Sequence, residues 1–472
     1  MTSGRPRWLA ALLGLLLPGF ATAQPVPLRP GEIVDPVRCD GDSAFTYALF
    51  VPSGYTPERK WPILYAFDPR RRGRLAAELF REPAERLGFI VASSNDTESD
   101  NPKAPNATAV NLLLQDAERR LSIDPGRRYA TGFSGGARLA CSLGWALKGG
   151  LAGVIGCGAG FPPEQPPKRD MPFAFFGSVG ERDFNYYEVR DLGATLDRLG
   201  IENRIEVFEG GHEWPPADVS SEALEWMELS AMRRRLAPLR DAVVEVFFTR
   251  GMERGRAFET RGLKPEAQAA YAATVRDLKG LHDVSVPEAE AARLAKGGAE
   301  AEARRREKLD RQVRESLVRA DRVLAAIASD ERPPLLASLL RDLEVAQLKR
   351  RASQPDASYD ALCAARQLAS LSVRVSSTLP RELLERSEYR RAALALSIAA
   401  EIRPENPGVW YGLAQARALG GERTEALEAL SKAVDAGFSD RERLESDADL
   451  AAIRADAAFA ALLRRLPARD AR

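Results

Sequence analysis

The sequence predicts an α/β domain built on a mostly parallel sheet with helices on both faces, followed by an all-helical half. Three observations predict it. From about residue 30 to 230, short β-rich runs alternate with helical stretches. Several of those runs are apolar nearly throughout, as strands buried on both faces must be. Beyond about residue 235 the β signal stops, and Ala, Leu, Glu and Arg dominate with 3.6-residue periodicity.

At 472 residues the chain is too long for one compact core. Four segments are expected: a leader at 1–23, the sheet domain at 24–235, a helical region at 236–375 and helical repeats at 376–472. Arg5 and Arg7 precede the short apolar run Trp8–Leu17, which Pro18 ends, and Ala21-Thr22-Ala23 has the small-x-small form of a cleavage site. The run is short for a bilayer span. The expectation is a cleaved signal peptide, a mature chain starting near Gln24 in the periplasm or outside the cell, and no integral membrane segment after cleavage. No cysteine follows the cleavage site to take a lipid. A formal net charge of +1 argues against nucleic acid or an anionic surface as partner.

In the sheet domain the expected strands are Phe45–Val51, Ile63–Phe67, Phe89–Ser93, Arg128–Phe133, Gly153–Cys157, Phe173–Gly177 and Arg204–Phe208. Helical patterns fall at Leu75–Leu87, Ala107–Leu121, Gly135–Lys148, Tyr187–Leu199 and Ser220–Arg235. Only the Pro-rich stretch Phe161–Asp170 separates the fifth and sixth strands, so no cap domain fits there and the site should be open.

In the helical half, Ala392, Leu396 and Ala399 recur 34 residues later as Ala426, Leu430 and Ala433. Trp410, Leu413 and Gly421 accompany the second copy, and Pro404 ends the first. Small residues at these places let helices approach closely. The period and positions resemble tetratricopeptide repeats, which imply a surface able to receive a protein partner. Pro380 departs from the pattern, falling where the first copy's leading helix should run. A generic Ala/Leu-rich bundle is the other reading.

The four cysteines are Cys39, Cys141, Cys157 and Cys363. Cys141 and Cys157 could form a disulfide across a helix and a strand, or remain buried thiols; spacing does not decide. No pair has zinc-like spacing, and neither metal nor cofactor is expected.

The chemistry centres on Gly132-Phe133-Ser134-Gly135-Gly136, which follows a β run and opens a helical pattern. A Gly-x-Ser-x-Gly match in that context predicts a tight strand-to-helix turn with an exposed serine hydroxyl. The helix start beside it supplies free N–H groups, Gly135 first, to stabilise an oxyanion. A serine needs a base. The chain has two histidines, and His282 lies in the helical region, which leaves His212 in the loop after Arg204–Phe208. The acid should follow the penultimate strand; Asp183 is the choice and Glu181 the alternative. A second oxyanion donor should come from the loop after Ile63–Phe67. Pro69 has no N–H, so position points to Arg70. Asp68 is either a cap for the following turn or part of the site. Trp214, Tyr186 and Tyr187 either line a substrate pocket or simply pack.

At these residues, and in the approach Ile123-Asp124-Pro125 and Arg128-Tyr129, residues 30–230 resemble the polyhydroxybutyrate depolymerase, feruloyl esterase and dienelactone hydrolase branch of the α/β-hydrolases. In that branch a His-Gly pair usually opens the loop where this chain has Asp68-Pro69. The resemblance implies hydrolysis of small or polymeric carboxylic esters through an acyl-enzyme, with Ser134, His212 and Asp183 as the triad. A peptidase or amidase of the same fold, and an inactive partner-binding scaffold, are the rival expectations.

Overall fold

A computed structural model describes residues 28–99, 101, 103–329, 334–354 and 358–467. The expected leader at 1–23 lies outside the described residues. The chain divides into two compact units, 1–304 and 305–472, so the first unit runs past the expected boundary at 235.

The first unit is organised by an eight-stranded sheet. Its strands are β1 (Ile33–Arg38), β2 (Thr46–Phe50), β3 (Trp61–Phe67), β4 (Ile90–Ser94), β5 (Ile123–Phe133), β6 (Gly153–Cys157), β7 (Ala174–Gly180) and β8 (Asn203–Phe208). The order across the sheet is β1-β2-β4-β3-β5-β6-β7-β8, parallel from β4 through β8 and antiparallel at β1 and β2. This is an α/β-hydrolase fold. Seven strands fall where the sequence predicts them. The eighth, β1, carries Pro36 and is mostly half-buried, so it lacks both the apolar run and the ladder chemistry of a central strand. It holds the sheet edge, where such a sequence is tolerated.

Helices α1 (Gly73–Leu87), α2 (Asn106–Arg120), α3 (Gly135–Ala146), α4 (Tyr186–Leu199) and α5 (Ala217–Arg233) alternate with the strands. Side chains alternate between sheet faces, which sorts the core into two layers. Ile63, Tyr65, Phe67, Val154 and Phe175 join one layer with Leu113 of α2, Leu143 of α3 and Leu196 of α4. Leu64, Ile155 and Phe176 join the other with Phe80 of α1 and Leu224 and Met227 of α5. Between β6 and β7 there is neither helix nor strand.

The second layer also takes in α6 (Asp241–Thr260) and α7 (Lys264–Leu278) through Val244, Phe247 and Leu278. A buried ion network fastens them. Arg204 of β8 meets Glu222 of α5 and Asp277 of α7, and lies 3.2 Å from Glu206. Arg254 of α6 pairs with Glu222 and, at 2.9 Å, with Glu206. Trp226 Nε1 donates to Asp277 at 3.1 Å. Helix α8 (Ser285–Lys296) adds Leu294 to a small cluster with Met252 and Tyr271.

Helix α9 (Ala299–Ser329) carries the chain into the second unit. There follow α10 (Leu336–Asp342), α11 (Val345–Ala352), α12 (Tyr359–Val373), α13 (Leu379–Glu385), α14 (Tyr389–Ile402), α15 (Pro407–Leu419), α16 (Arg423–Asp435), α17 (Arg441–Ser446) and α18 (Ala457–Arg465). Ala392, Leu396 and Ala399 on α14 and Ala426, Leu430 and Ala433 on α16 are all buried in one core. The 34-residue correspondence therefore marks equivalent packing faces. Pro380 sits at the start of α13, which continues the helical backbone of α12 through a π-helical stretch, Arg374–Thr378. No described helix is long and apolar enough to cross a membrane.

Replacing Arg204 with Met would leave Glu222 and Asp277 short of their buried partner. Unfolding in urea should show a loss of about 3–5 kcal/mol, as breaking a buried charge network does; a loss within measurement error would mean the network does not hold α7 to the sheet.

Candidate active site

The strand-to-helix turn at Ser134 is set by sterics. A Cβ on Gly132 would lie 2.2 Å from the carbonyl of Gly136, and one on Gly136 would lie 2.1 Å from the Phe67 oxygen. With these contacts closed to side chains, β5 passes into α3 through a single residue, and Ser134 takes φ +52° and ψ −118°. A non-glycine residue there is strained and is held by its surroundings. Its N–H donates to Cys157 O at 2.8 Å, and its own carbonyl accepts from Ala137 at 3.0 Å. The hydroxyl is left at the head of α3. The N–H of Gly135, in the first helical position, has no helical acceptor.

Ser134 Oγ lies 2.9 Å from His212 Nε2. On the other side of the ring, Nδ1 is 2.9 Å from Asp183 Oδ2 and 3.0 Å from Oδ1. The imidazole lies between two rings, Phe133 at 4.6 Å and Phe184 at 4.2 Å between centroids. Close backbone approach makes this possible, since a Cβ on Gly180 would lie 2.2 Å from the Gly211 oxygen. Asp183 is 1% exposed and accepts the Asn185 N–H at 2.7 Å. Asn185 in turn donates through Nδ2 to Gly158 O at 2.7 Å. Burial pushes the Asp183 carboxyl above the usual carboxylate range, against the opposing pull of His212. Glu181, the alternative acid, is paired with Arg182 instead. His282 pairs with Glu245 at 3.2 Å and stacks on Phe248, away from Ser134.

The Arg70 expectation is corrected. Its N–H is committed to Asp68 Oδ1 at 2.8 Å, because a carboxylate two residues back reaches the amide within the same turn. Asp68 is fully buried. It also takes the Arg72 side chain on both oxygens, at 3.1 and 2.9 Å, and the Trp214 Nε1–H at 2.8 Å. Asp68 therefore caps its own turn and also reaches the loop of His212 through Trp214. Burial alone would raise its carboxyl, but the bonds from Arg72, Trp214 and the Arg70 amide hold it below the usual range. Tyr186 and Tyr187 are buried against each other at the start of α4, whereas Trp214 is half-buried with its ring 5.7 Å from Phe133.

Two neighbours escaped the sequence reading. Phe133, inside the glycine motif, packs against the His212 ring; the motif marks its position but not this contact. Ser99 packs where a Gly135 side chain would stand, 2.1 Å from that Cβ position, and no local pattern signals a contact made across a long loop. All four cysteines are buried free thiols, so the Cys141–Cys157 disulfide does not form; burial pushes Cys39 and Cys157 up to about 12. Among the described residues no group of three His, Cys, Asp or Glu side chains could hold a metal ion.

No protein-family model and no curated protein sequence matches the chain. Among solved structures it is similar to a ferulic acid esterase, at 17% identity over 41% of this chain and 94% of that one, with a TM-score of 0.33. It is similar to the fluorophosphonate-binding serine hydrolase FphF of Staphylococcus aureus, at 11% identity over 39% and 92%, with a TM-score of 0.34. It is also similar to a carboxylesterase from Mesorhizobium loti, at 17% identity over 38% and 94%, with a TM-score of 0.31.

The raised Asp183 carboxyl carries a signed consequence. Its folded form holds a proton to higher pH than the unfolded chain does, so its ionisation detracts from stability as pH rises from about 4, the free carboxylate value. Asp183→Asn removes that penalty. The melting temperature of the variant relative to the parent should rise between acid and neutral pH; a difference that falls over that interval would contradict the assigned direction.

Proposed function

We propose that the protein is a serine hydrolase that cleaves carboxylic esters through an acyl-enzyme on Ser134. The observation that carries the reading is the unbroken relay from Ser134 Oγ through His212 to Asp183, with contacts of 2.9 Å on either side of the ring. Asp183, accepting from Nδ1–H, leaves the Nε2 lone pair facing the hydroxyl. His212 takes the Ser134 proton as the oxygen attacks the ester carbonyl, and Asp183 stabilises the imidazolium that forms. The Gly135 N–H meets the negative oxygen at the head of α3. Collapse of the tetrahedral species expels the alcohol, which takes the proton from His212. Water, activated by the same base, then attacks the acyl group and releases the acid, returning the proton to Ser134.

The absence of helix or strand between β6 and β7 leaves the approach to Ser134 uncapped, which favours bulky or polymeric esters. The leader at 1–23 supports export to the periplasm or beyond. The equivalent small-residue faces of α14 and α16 support a tetratricopeptide-like role for the second unit, recruiting a protein partner to the catalytic one.

Turnover of p-nitrophenyl acetate by the purified protein should fall at least about a thousandfold in Ser134→Ala, the scale of losing an activated nucleophile. Undiminished turnover in that variant would overturn the assignment.

A further inference from the structure

A buried carboxylate outside the triad joins the two loops that meet over Ser134. Asp68 stands one residue beyond β3, whose last carbonyl, that of Phe67, abuts Gly136. Within its own loop it fixes the Arg70 N–H at 2.8 Å and the Arg72 N–H at 3.3 Å. That loop is also tied to the segment after β4 that brings in Ser99: Thr97 Oγ1 donates to Asp68 O at 3.2 Å, and Ser99 N to Pro69 O at 3.0 Å. Ser99 is the residue that packs against Gly135.

From the opposite side comes Trp214, two residues past His212 in the β8–α5 loop. Its Nε1–H reaches Asp68 Oδ2 at 2.8 Å, while its ring contacts Phe133 and Phe80, at 5.7 and 6.4 Å between centroids. Phe133 is the ring against which His212 packs, at 4.6 Å between centroids. Gly210 and Gly211 give this loop no side chain of their own; its other ties near His212 are the Arg182 N–H to Gly210 O at 2.9 Å and the Gly211 N–H to Glu213 Oε1 at 3.1 Å. A charged acceptor on a neutral indole donor is the strong kind of hydrogen bond.

We infer that Asp68 is a positioning residue of the hydrolase, holding His212 in reach of Ser134 through its bond to Trp214. The inference rests on the triad reading and extends it to a fourth and a fifth residue, neither of which touches the reacting atoms. The bond fixes the base loop against the β3–α1 loop. Displacement of the loop that carries His212 away from Ser134 then requires Trp214 to leave both Asp68 and its contact with Phe133.

Two substitutions test it in the full-length protein. Trp214→Phe keeps a ring against Phe133 and removes the N–H; Asp68→Asn keeps the shape and removes the charge. Each should lower kcat for p-nitrophenyl acetate about tenfold or more with KM little changed, as small displacements of a catalytic group do. The double variant should be no slower than the slower single one, because both act through the same bond, one by removing its donor and the other by removing the charge of its acceptor. With only two histidines in the chain, His212 can be followed by NMR of histidine-labelled protein, using His282→Gln for assignment. Asp68→Asn alters no ring, yet should move the His212 signals. Wild-type kcat in Trp214→Phe, losses that multiply in the double variant, or His212 signals unmoved in folded Asp68→Asn would overturn the proposal. Should Asp68→Asn fail to fold, Trp214→Phe alone decides. A parent protein inactive on every ester would count against the triad reading, while the His212 signals would still decide this one.

Discussion

One close contact governs the rest of the site: the backbone of α3 lies against the ends of β3 and β5 with no space for a side chain at 132 or 136. With both glycines in place, Ser134 has to carry the whole reversal from strand to helix, and it does so at φ +52°. Several consequences follow from that compression. The hydroxyl stands clear of the sheet, the first N–H groups of α3 open beside it, and Phe133 is placed where its ring can support the base. The strain at Ser134 is borne by the layers of core on either face of the sheet, which leave β3, β5 and β6 no freedom to spread.

Around this turn, buried charge is handled in two ways. Asp183 receives one N–H and one imidazole, and burial still pushes its proton affinity up. Asp68 receives four donor groups and is held down. The comparison follows the general rule that donors to the charged form offset desolvation only when there are enough of them. The carboxylate that pairs with His212 is sparsely donated to, whereas the one that ties two loops together is saturated. Farther from the site, the Arg204 network carries the same logic to packing, fastening α6 and α7 to β8 and α5. This is how α6 and α7 come to belong to the first compact unit.

Much of this was legible in the sequence because the signals are local. Continuous apolar runs mark β3, β6 and β7; glycine spacing marks the turn at Ser134; two histidines leave little choice of base. The misses have physical causes as well. Strand β1 is an edge strand containing Pro36, and its pairing comes from β2 rather than from its own pattern. The boundary at 235 followed the end of the β signal, but charges on β8, α5, α6 and α7 bind those helices to the sheet, and charge pairing over such separations leaves no periodicity. Arg70 fitted the oxyanion role by position alone; the neighbouring Asp68 side chain took its amide. The Asp68–Trp214 bond spans 146 residues, and nothing short-range in either loop announces it.

The account stands on Ser134 being an activated nucleophile, and a fluorophosphonate probe reports that property directly, since an unactivated serine hydroxyl does not react. Intact-mass and peptide analysis of the labelled protein should find one adduct, on the peptide containing Ser134, formed by the native protein and lost on denaturation or in His212→Ala. A native protein that takes no label there, or takes it equally without His212, would contradict the account.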